Sequence, residues 1–326
     1  MFFYDLVVTI ANLFGMKGGE QVLGLRPIPT SSIIDKPANH TDTSPSVLIS
    51  APYMMPHIGR FTRVIQAFGL NVIVADVKER LSEGDLLKIF SEKNFEAIIC
   101  GDDRFTEKVY ELCKGKLKVV SKWGTGIDSL NPDIALKHGA VVTNTPGAFT
   151  APVSDSCVAY MLAFARKFVS LDKNMKNKMW EKISGHTIGE KTVGIIGVGE
   201  IGKAVMKKIR GLGGSRLLCC DIVTVDQQFL DEVDAKQVEL NTLLGDSDYI
   251  CINCDLNPTS EHLINMDSIM RVKHGAYLIN CARGPICSEK ALVYGLERGI
   301  LAGCALDVFE VEPLPLDSKL FEYGDR

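Results

Sequence analysis

The segment Lys191-Thr-Val-Gly-Ile-Ile-Gly-Val-Gly-Glu-Ile-Gly-Lys203 constrains this chain more than any other, because it sets Gly197, Gly199 and Gly202 in a G-x-G-x-x-G. With 29 glycines in 326 residues the bare spacing is weak, so its context decides. Upstream, Thr192-Val-Gly-Ile-Ile196 is a short apolar run with β-branched residues, as expected of a strand buried on both faces of a parallel sheet. Downstream, Ile201, Val205, Ile209 and Leu212 recur at helical spacing, and Gly211, Gly213 and Gly214 end that helix. A strand–turn–helix of this kind reads as a dinucleotide site. Gly197 makes the tight turn, Gly199 lets backbone approach a pyrophosphate, and Gly202 lets the helix pack close to the strand. The phosphates then rest on free N–H groups at a helix N-terminus.

A second apolar run, Leu217-Leu-Cys-Cys220, ends in Asp221, where a carboxylate accepts the adenosine ribose hydroxyls. A carboxylate there repels a 2′-phosphate, and the following Ile-Val-Thr supplies no arginine to hold one, so NAD is expected over NADP.

From Ser46 the chain alternates strand and helix patterns: strands at 47–50, 71–75, 96–100, 118–121 and 140–143, with a helix carrying Phe61, Val64, Ile65 and Phe68 between the first two. A long helix over 150–170 follows, with Pro152 in its first turn and an apolar stripe of Val158, Met161, Leu162, Ala165 and Phe168. Such a helix could connect domains or form a dimer contact, and the stripe does not choose. Beyond the glycine run come strands at Tyr249–Cys254, Ala276–Asn280 and Gly303–Val308. The fold class is therefore α/β, with two doubly wound parallel-sheet domains. The expected divisions are a leader and linker over 1–45, a first domain over 46–145, a nucleotide domain over 146–314, and over 315–326 the start of a truncated return to the first domain.

The opening Met1 to Met16 is apolar, but Asp5 stands where a signal peptide is basic, and the run is too short to span a bilayer. It reads as a packed or loose leader, with membrane association the alternative. A net charge of −4 with no long Lys/Arg block argues against a nucleic-acid partner. Ten cysteines without the spacing of a secreted scaffold point to a reducing, cytoplasmic compartment. Cys251 and Cys254 match C-x-x-C, but lie in a strand pattern whose odd separation sends the two thiols to opposite faces, so no metal is expected.

For chemistry, Arg283 stands just past the carboxyl end of a strand, where open α/β sheets bind ligands, and a guanidinium there can grip a carboxylate with two parallel hydrogen bonds. Asp307, Glu310 and Glu312 follow another strand end, and spacing alone does not pick between them.

Taken together, Trp123-Gly-Thr-Gly-Ile-Asp128, Asn144-Thr-Pro-Gly147, the glycine run with Asp221, Asn280-Cys-Ala-Arg-Gly284 and Leu306-Asp-Val-Phe-Glu-Val-Glu-Pro313 resemble the NAD-dependent D-isomer-specific 2-hydroxyacid dehydrogenases, of the phosphoglycerate dehydrogenase type. The resemblance runs from about Ser46 to the last residue. It implies a flavodoxin-like substrate domain, a Rossmann NAD domain, an active site in the cleft between them and a 2-hydroxy acid substrate; the helix over 150–170 separately points to a homodimer. It further implies that Arg283 holds the substrate carboxylate, that Glu312 tunes a catalytic histidine, and that Asp307 holds the nicotinamide carboxamide. Thr125 and Gly126 would offer backbone near substrate and cofactor. Glu200 and Ile201 would line the pyrophosphate turn, Cys254 the adenosine half, and Cys281 and Ala282 the cofactor.

Asp255 stands where the family shows Pro, which alters only the expected loop shape. The family's acid/base histidine comes in a Pro-His-x-Gly segment after the Glu-Pro. No such segment lies between Pro313 and Arg326, so the chain reads as C-terminally truncated. Pro56-His-Ile-Gly59 has the same letters after the first strand and reads as coincidence. Two rival functions stay open: an NAD-binding sensor or corepressor-like protein without turnover, and a formate-dehydrogenase-like enzyme.

Overall fold

The computed structural model describes residues 44–213 and 216–326. The leader and most of the linker expected before Ser46 lie outside the described residues. The chain divides into two compact units, the first ending at Ala148 and the second spanning Phe149–Arg326.

The first unit runs β1 (Ser46–Ile49), a 3-10 turn at Pro52–His57, α1 (Ile58–Ala67), β2 (Asn71–Val74), α2 (Glu83–Glu92), β3 (Ala97–Cys100), α3 (Glu107–Leu112), β4 (Val119–Lys122), α4 (Pro132–Lys137) and β5 (Val141–Thr143). Its strands pair in parallel in the order β2-β1-β3-β4-β5, the flavodoxin-like order. The central β3 is buried at every residue, whereas the edge strand β2 is only half-buried, which is why β3 is the more uniformly apolar run. Leu48 and Ile98 pack on one face and Val47 and Ile99 on the other, each burial contributing about 1.5–3 kcal/mol. Helix α2 starts at Ser82 through a capping box with Asp85, and α4 at Asn131, whose side chain accepts from Ile134 N–H.

The second unit runs α5 (Thr150–Ala165), α6 (Phe168–Lys176), β6 (Thr192–Ile196), α7 (Glu200–Arg210), β7 (Arg216–Cys220), α8 (Gln227–Val233), β8 (Ala235–Gln237), α9 (Leu240–Asp246), β9 (Tyr249–Ile252), α10 (Met266–Ile269), β10 (Ala276–Asn280), α11 (Glu289–Glu297) and β11 (Leu301–Leu306). The sheet order is β11-β10-β9-β6-β7-β8, all parallel, which is the Rossmann order with its direction reversing between β6 and β9. Cys251 packs in the core on one face of this sheet and Cys254 against the core on the other, as their odd spacing requires. Residues 315–326, expected to start a return to the first domain, belong instead to this unit. Leu320 and Tyr323 lie against its core, and the Arg326 guanidinium donates to Leu296 O and Leu301 O at 2.9 and 3.1 Å.

Two expectations are corrected. The long helix over 150–170 is two helices, because Lys167 turns left-handed at φ 55° and Phe168 leaves the stripe to stand exposed. The last strand is Leu301–Leu306 rather than Gly303–Val308, since Asp307 and Val308 already turn away into the loop.

Candidate active site

The site is built first from the turn between β6 and α7. Gly197 takes φ 88°, and a Cβ on it would stand 2.5 Å from Cys254 N, so the turn lies directly against the backbone leaving β9. A Cβ on Gly202 would stand 2.0 Å from Gly197 O, which is the close approach of helix to strand that the spacing anticipates. Gly199 is the N-cap of α7, makes no side-chain cap, and has no atom within 4 Å of where its Cβ would be. The first N–H groups of this 11-residue helix lack intrahelical partners, and the open space beside Gly199 leaves a cradle that fits a pyrophosphate. Glu200 and Ile201 form the helix's first turn beside it.

Asp221 lies at the end of β7. One carboxylate oxygen accepts from Val198 N–H at 2.7 Å and the other from Val223 N–H at 3.1 Å, so the acid is tied to the glycine turn itself. Ile222 and Val223 beyond it are exposed and present no cation to a 2′-phosphate. Cys254, across the turn, has its thiol pushed up to about 11 by burial, with Asp255 and Asp221 adding to it.

The second part comes from the loops after β10 and β11. Asn280, almost fully buried, donates from Nδ2 to Arg283 O at 2.9 Å and accepts at Oδ1 from Ala282 N–H at 3.0 Å. One side chain therefore shapes the whole Cys281-Ala282-Arg283 turn. The Arg283 guanidinium donates to Ala282 O at 2.8 Å. At Gly284 a Cβ would fall 1.7 Å from Phe309 O, so the arginine turn and the loop after β11 interlock backbone against backbone. Asp307 N–H donates to Asn280 O at 3.0 Å, and the Asp307 carboxylate accepts from Tyr160 OH at 3.1 Å. Burial, and after it the Asp307 charge, pushes the Tyr160 phenol up to about 12, so it stays a donor.

The three acids that spacing could not separate are separated by geometry. Glu310 bridges, accepting from Glu289 N–H at the start of α11 at 2.7 Å and meeting His262 Nε2 at 2.8 Å. Glu312 accepts from Phe309 N–H at 2.8 Å and closes its own turn. Neither the Asn280 tie nor the Glu310 bridge is visible in the sequence, where both residues are merely polar letters near a strand end.

In the first unit, Thr125 and Gly126 lie in the loop after β4. Asn144 Nδ2 donates to Thr125 O at 2.7 Å, and Thr145 Oγ1 donates to Gly124 O at 3.0 Å, so the loops after β4 and β5 hold each other. Two charged residues at these strand ends went unread in the sequence. Lys122, 3% exposed, donates to Gly101 O at 2.7 Å and pairs with Asp102. Asp103, buried, accepts from Ser50 Oγ and from Leu81 N–H at 2.7 Å, and its burial raises the pKa of its carboxyl above the ordinary carboxylate value, so it holds its proton more tightly. His57 closes the 3-10 turn after β1. Among the described residues no group of three or more His, Cys, Asp or Glu is placed to hold a metal ion, and no helix is long and apolar enough to cross a membrane.

A Rossmann sheet with a glycine turn, a ribose-side acid and an arginine turn at successive strand ends defines an NAD-binding dehydrogenase fold. Residues 158–325 match the family model "D-isomer specific 2-hydroxyacid dehydrogenase, NAD binding domain", and the chain belongs to this family and carries its NAD-binding domain. Among curated relatives, the D-3-phosphoglycerate dehydrogenase of Synechocystis is 31% identical over 289 residues, covering 86% of this chain and 51% of that protein. The glyoxylate reductase of Thermofilum pendens is 34% identical over 287 residues, covering 81% of each chain. The structure of D-lactate dehydrogenase from Aquifex aeolicus, complexed with NAD and lactic acid, superposes with a TM-score of 0.69 at 26% identity over 81% of this chain and 77% of that one. This chain thus spans only about half the length of the cyanobacterial relative.

Proposed function

We propose that this protein transfers hydride between NAD(H) and a D-2-hydroxy acid or its 2-keto acid, in the manner of a phosphoglycerate dehydrogenase or a hydroxypyruvate or glyoxylate reductase. The observation that carries this reading is the interlock of the Arg283 turn with the loop bearing Asp307 and Glu312, on the same strand-end face as the glycine turn. Bound NAD supplies the hydride acceptor or donor; the remaining work falls to the chain. Gly199, Glu200 and Ile201 hold the pyrophosphate, Asp221 the ribose, and Asp307, with Cys281 and Ala282, the nicotinamide end. Arg283 orients the substrate by its carboxylate. Glu312 tunes the group that moves the hydroxyl proton. Thr125 and Gly126 offer backbone N–H and C=O groups from the first unit, which serves as the substrate domain.

We place the protein in the cytoplasm, since all ten cysteines are free, and we propose a homodimer, since Phe168, Val169, Met175, Met179 and Trp180 are large apolar side chains left exposed close together in sequence.

The test is turnover of hydroxypyruvate, glyoxylate or phosphoglycerate followed at the nicotinamide band, with NADH fluorescence measured in parallel. Arg283→Ala is expected to lower kcat/KM by about 2–5 kcal/mol of transition-state stabilisation while NADH binding is retained. Equal loss of both would remove Arg283 from its role. NADH binding with no turnover on any of the three acids would favour the sensor reading.

A further inference from the structure

Strands β9, β10 and β11 are neighbours in the sheet, and one pair of side chains joins the loops of the outer two across the loop of the middle one. His262 lies in the loop after β9 and Glu310 in the loop after β11, and His262 Nε2 meets Glu310 Oε1 at 2.8 Å. Both also hold the connection from β10 to α11, which begins with the Arg283 turn. His262 N–H donates to Pro285 O at 2.8 Å, and the second Glu310 oxygen accepts from Glu289 N–H at 2.7 Å. Between these, Ile264 N–H donates to Ile286 O at 3.0 Å and Ser288 N–H to Ile264 O at 2.8 Å. The segment from Pro285 to Glu289 is thus clasped from both neighbouring loops.

Each half of the clasp is itself fixed. His262 takes a left-handed φ of 48°, which few residues with a side chain adopt. Its three polar groups are engaged, the N–H by Pro285, the carbonyl by Asn265 Nδ2 at 3.0 Å and the ring by Glu310. Ser288, the N-cap of α11, makes no side-chain cap, so Glu310 brings from another loop the carboxylate that a helix N-terminus favours. The Glu310 backbone abuts the arginine turn, since a Cβ on Gly284 would stand 2.6 Å from Glu310 N. The His262 and Glu310 side chains are 47% and 29% exposed, and a pair so open to water adds little to global stability. What it adds is direction.

We propose that His262 and Glu310 are positioning residues that aim Arg283 at the substrate carboxylate, a role that rests on the function proposed above for Arg283. Asn280 Nδ2 holds Arg283 O at 2.9 Å, and the clasp holds the chain two residues further on at Pro285. With the clasp gone, the turn pivots about the Asn280 tie alone, and the long arginine side chain magnifies a small backbone tilt at its tip. The glycine turn after β6 and Asp221 after β7 lie beyond β9 in the sheet and are tied to each other by the bond from Val198 N–H. Loss of the clasp therefore acts on the substrate and leaves the dinucleotide in place.

The experiment compares Glu310→Ala and His262→Asn with the parent chain, using NADH with glyoxylate or hydroxypyruvate. Asparagine suits the left-handed backbone but is too short to reach Glu310. Each variant is expected to lower kcat/KM by up to about 100-fold, the scale of a roughly 1 Å misplacement, mostly through KM, while NADH affinity by fluorescence stays at the parent's value. The double variant should lose no more than either single one. Glu310→Gln should keep most of the activity, because its amide oxygen still accepts from Glu289 N–H and its amide N–H can donate to a neutral imidazole. Reaction of Arg283 with phenylglyoxal, mapped by mass spectrometry, needs no turnover and should be several-fold faster in Glu310→Ala than in the parent or in Glu310→Gln. Equal losses of NADH affinity and kcat/KM, additive losses in the double variant, or an unchanged phenylglyoxal rate would overturn the proposal. A parent chain that binds NADH but turns over neither acid would count against the proposed function instead, and the phenylglyoxal rates alone would then decide the clasp.

Discussion

At the scale of single residues, Asn280 does more for the site than its chemistry announces. Its amide satisfies Ala282 N–H and Arg283 O together, so one buried side chain fixes where the guanidinium leaves the backbone. Asn280→Ala orphans both groups and is expected to cost about 1–3 kcal/mol for each one left buried, read as a lowered urea midpoint. Asn280→Asp keeps the acceptor for Ala282 N–H but loses the donor to Arg283 O, and should fall between the two. An alanine variant as stable as the parent would show that the turn holds its shape without the amide. The glycines tell the opposite story. Gly197 and Gly202 were legible in the sequence, because a missing side chain at fixed spacing is itself a steric statement, and the contacts at 2.5 and 2.0 Å give its reason. Gly284 carries the same kind of constraint at 1.7 Å from Phe309 O, but no spacing rule of the kind that marks Gly197 and Gly202 points to it.

At the scale of elements, the break between α5 and α6 shows what pattern reading misses. The apolar stripe continues past Ala165, so the sequence reads as one helix. In the fold, His186 N–H donates to Ala165 O at 3.0 Å and takes a carbonyl that the next helical turn needs, and Gly185 fits there because a Cβ would meet that oxygen at 2.4 Å. The helix ends because a distant segment captures its acceptor. The same segment sets a pH response. His186 Nε2 lies 2.7 Å from Tyr249 OH, and burial, then Lys191 and Lys167, lowers the imidazole below its ordinary value, while burial holds the Tyr249 phenol protonated. A group whose proton affinity is lowered by folding leaves the unfolded chain binding more protons as pH falls. Stability is thus fully present above about 6.5, the ordinary imidazole value, and declines as pH drops below it. Thermal melts between pH 7.5 and 5 should show this decline, and His186→Gln should flatten it relative to the parent; an unchanged slope would assign the decline to other groups.

At the scale of the whole molecule, two parallel sheets in the orders 2-1-3-4-5 and 3-2-1-4-5-6 arise from similar α/β text, and strand order is what distinguishes them. The exposed apolar set from Phe168 to Trp180 bears on assembly. Trp180 is 79% and Phe168 67% exposed, a degree at which large aromatic side chains in water invite a partner. Sedimentation equilibrium should give twice the 35.7 kDa of one chain, and Phe168→Ser with Trp180→Ser should return it to one. A parent that sediments as a single chain would refute the homodimer.

The sequence by itself determined the α/β class, the strand–turn–helix around Gly197, the acid at Asp221 and the strand end that carries Arg283. These are local matters: periodicity, steric demand and the end of an apolar run are all written within about twenty-five residues of one another. Only the tertiary structure decided which acid bridges and which closes a turn, where α5 stops, and that Asn280 shapes the arginine turn. The Glu310 bridge and the end of α5 depend on hydrogen bonds between residues far apart in the chain, whereas the Asn280 and Glu312 ties reach only two or three residues but depend on which way a side chain turns once its loop is packed. A donor in one loop finds its acceptor in another only once the sheet has set the two side by side, and no single stretch of sequence records that pairing.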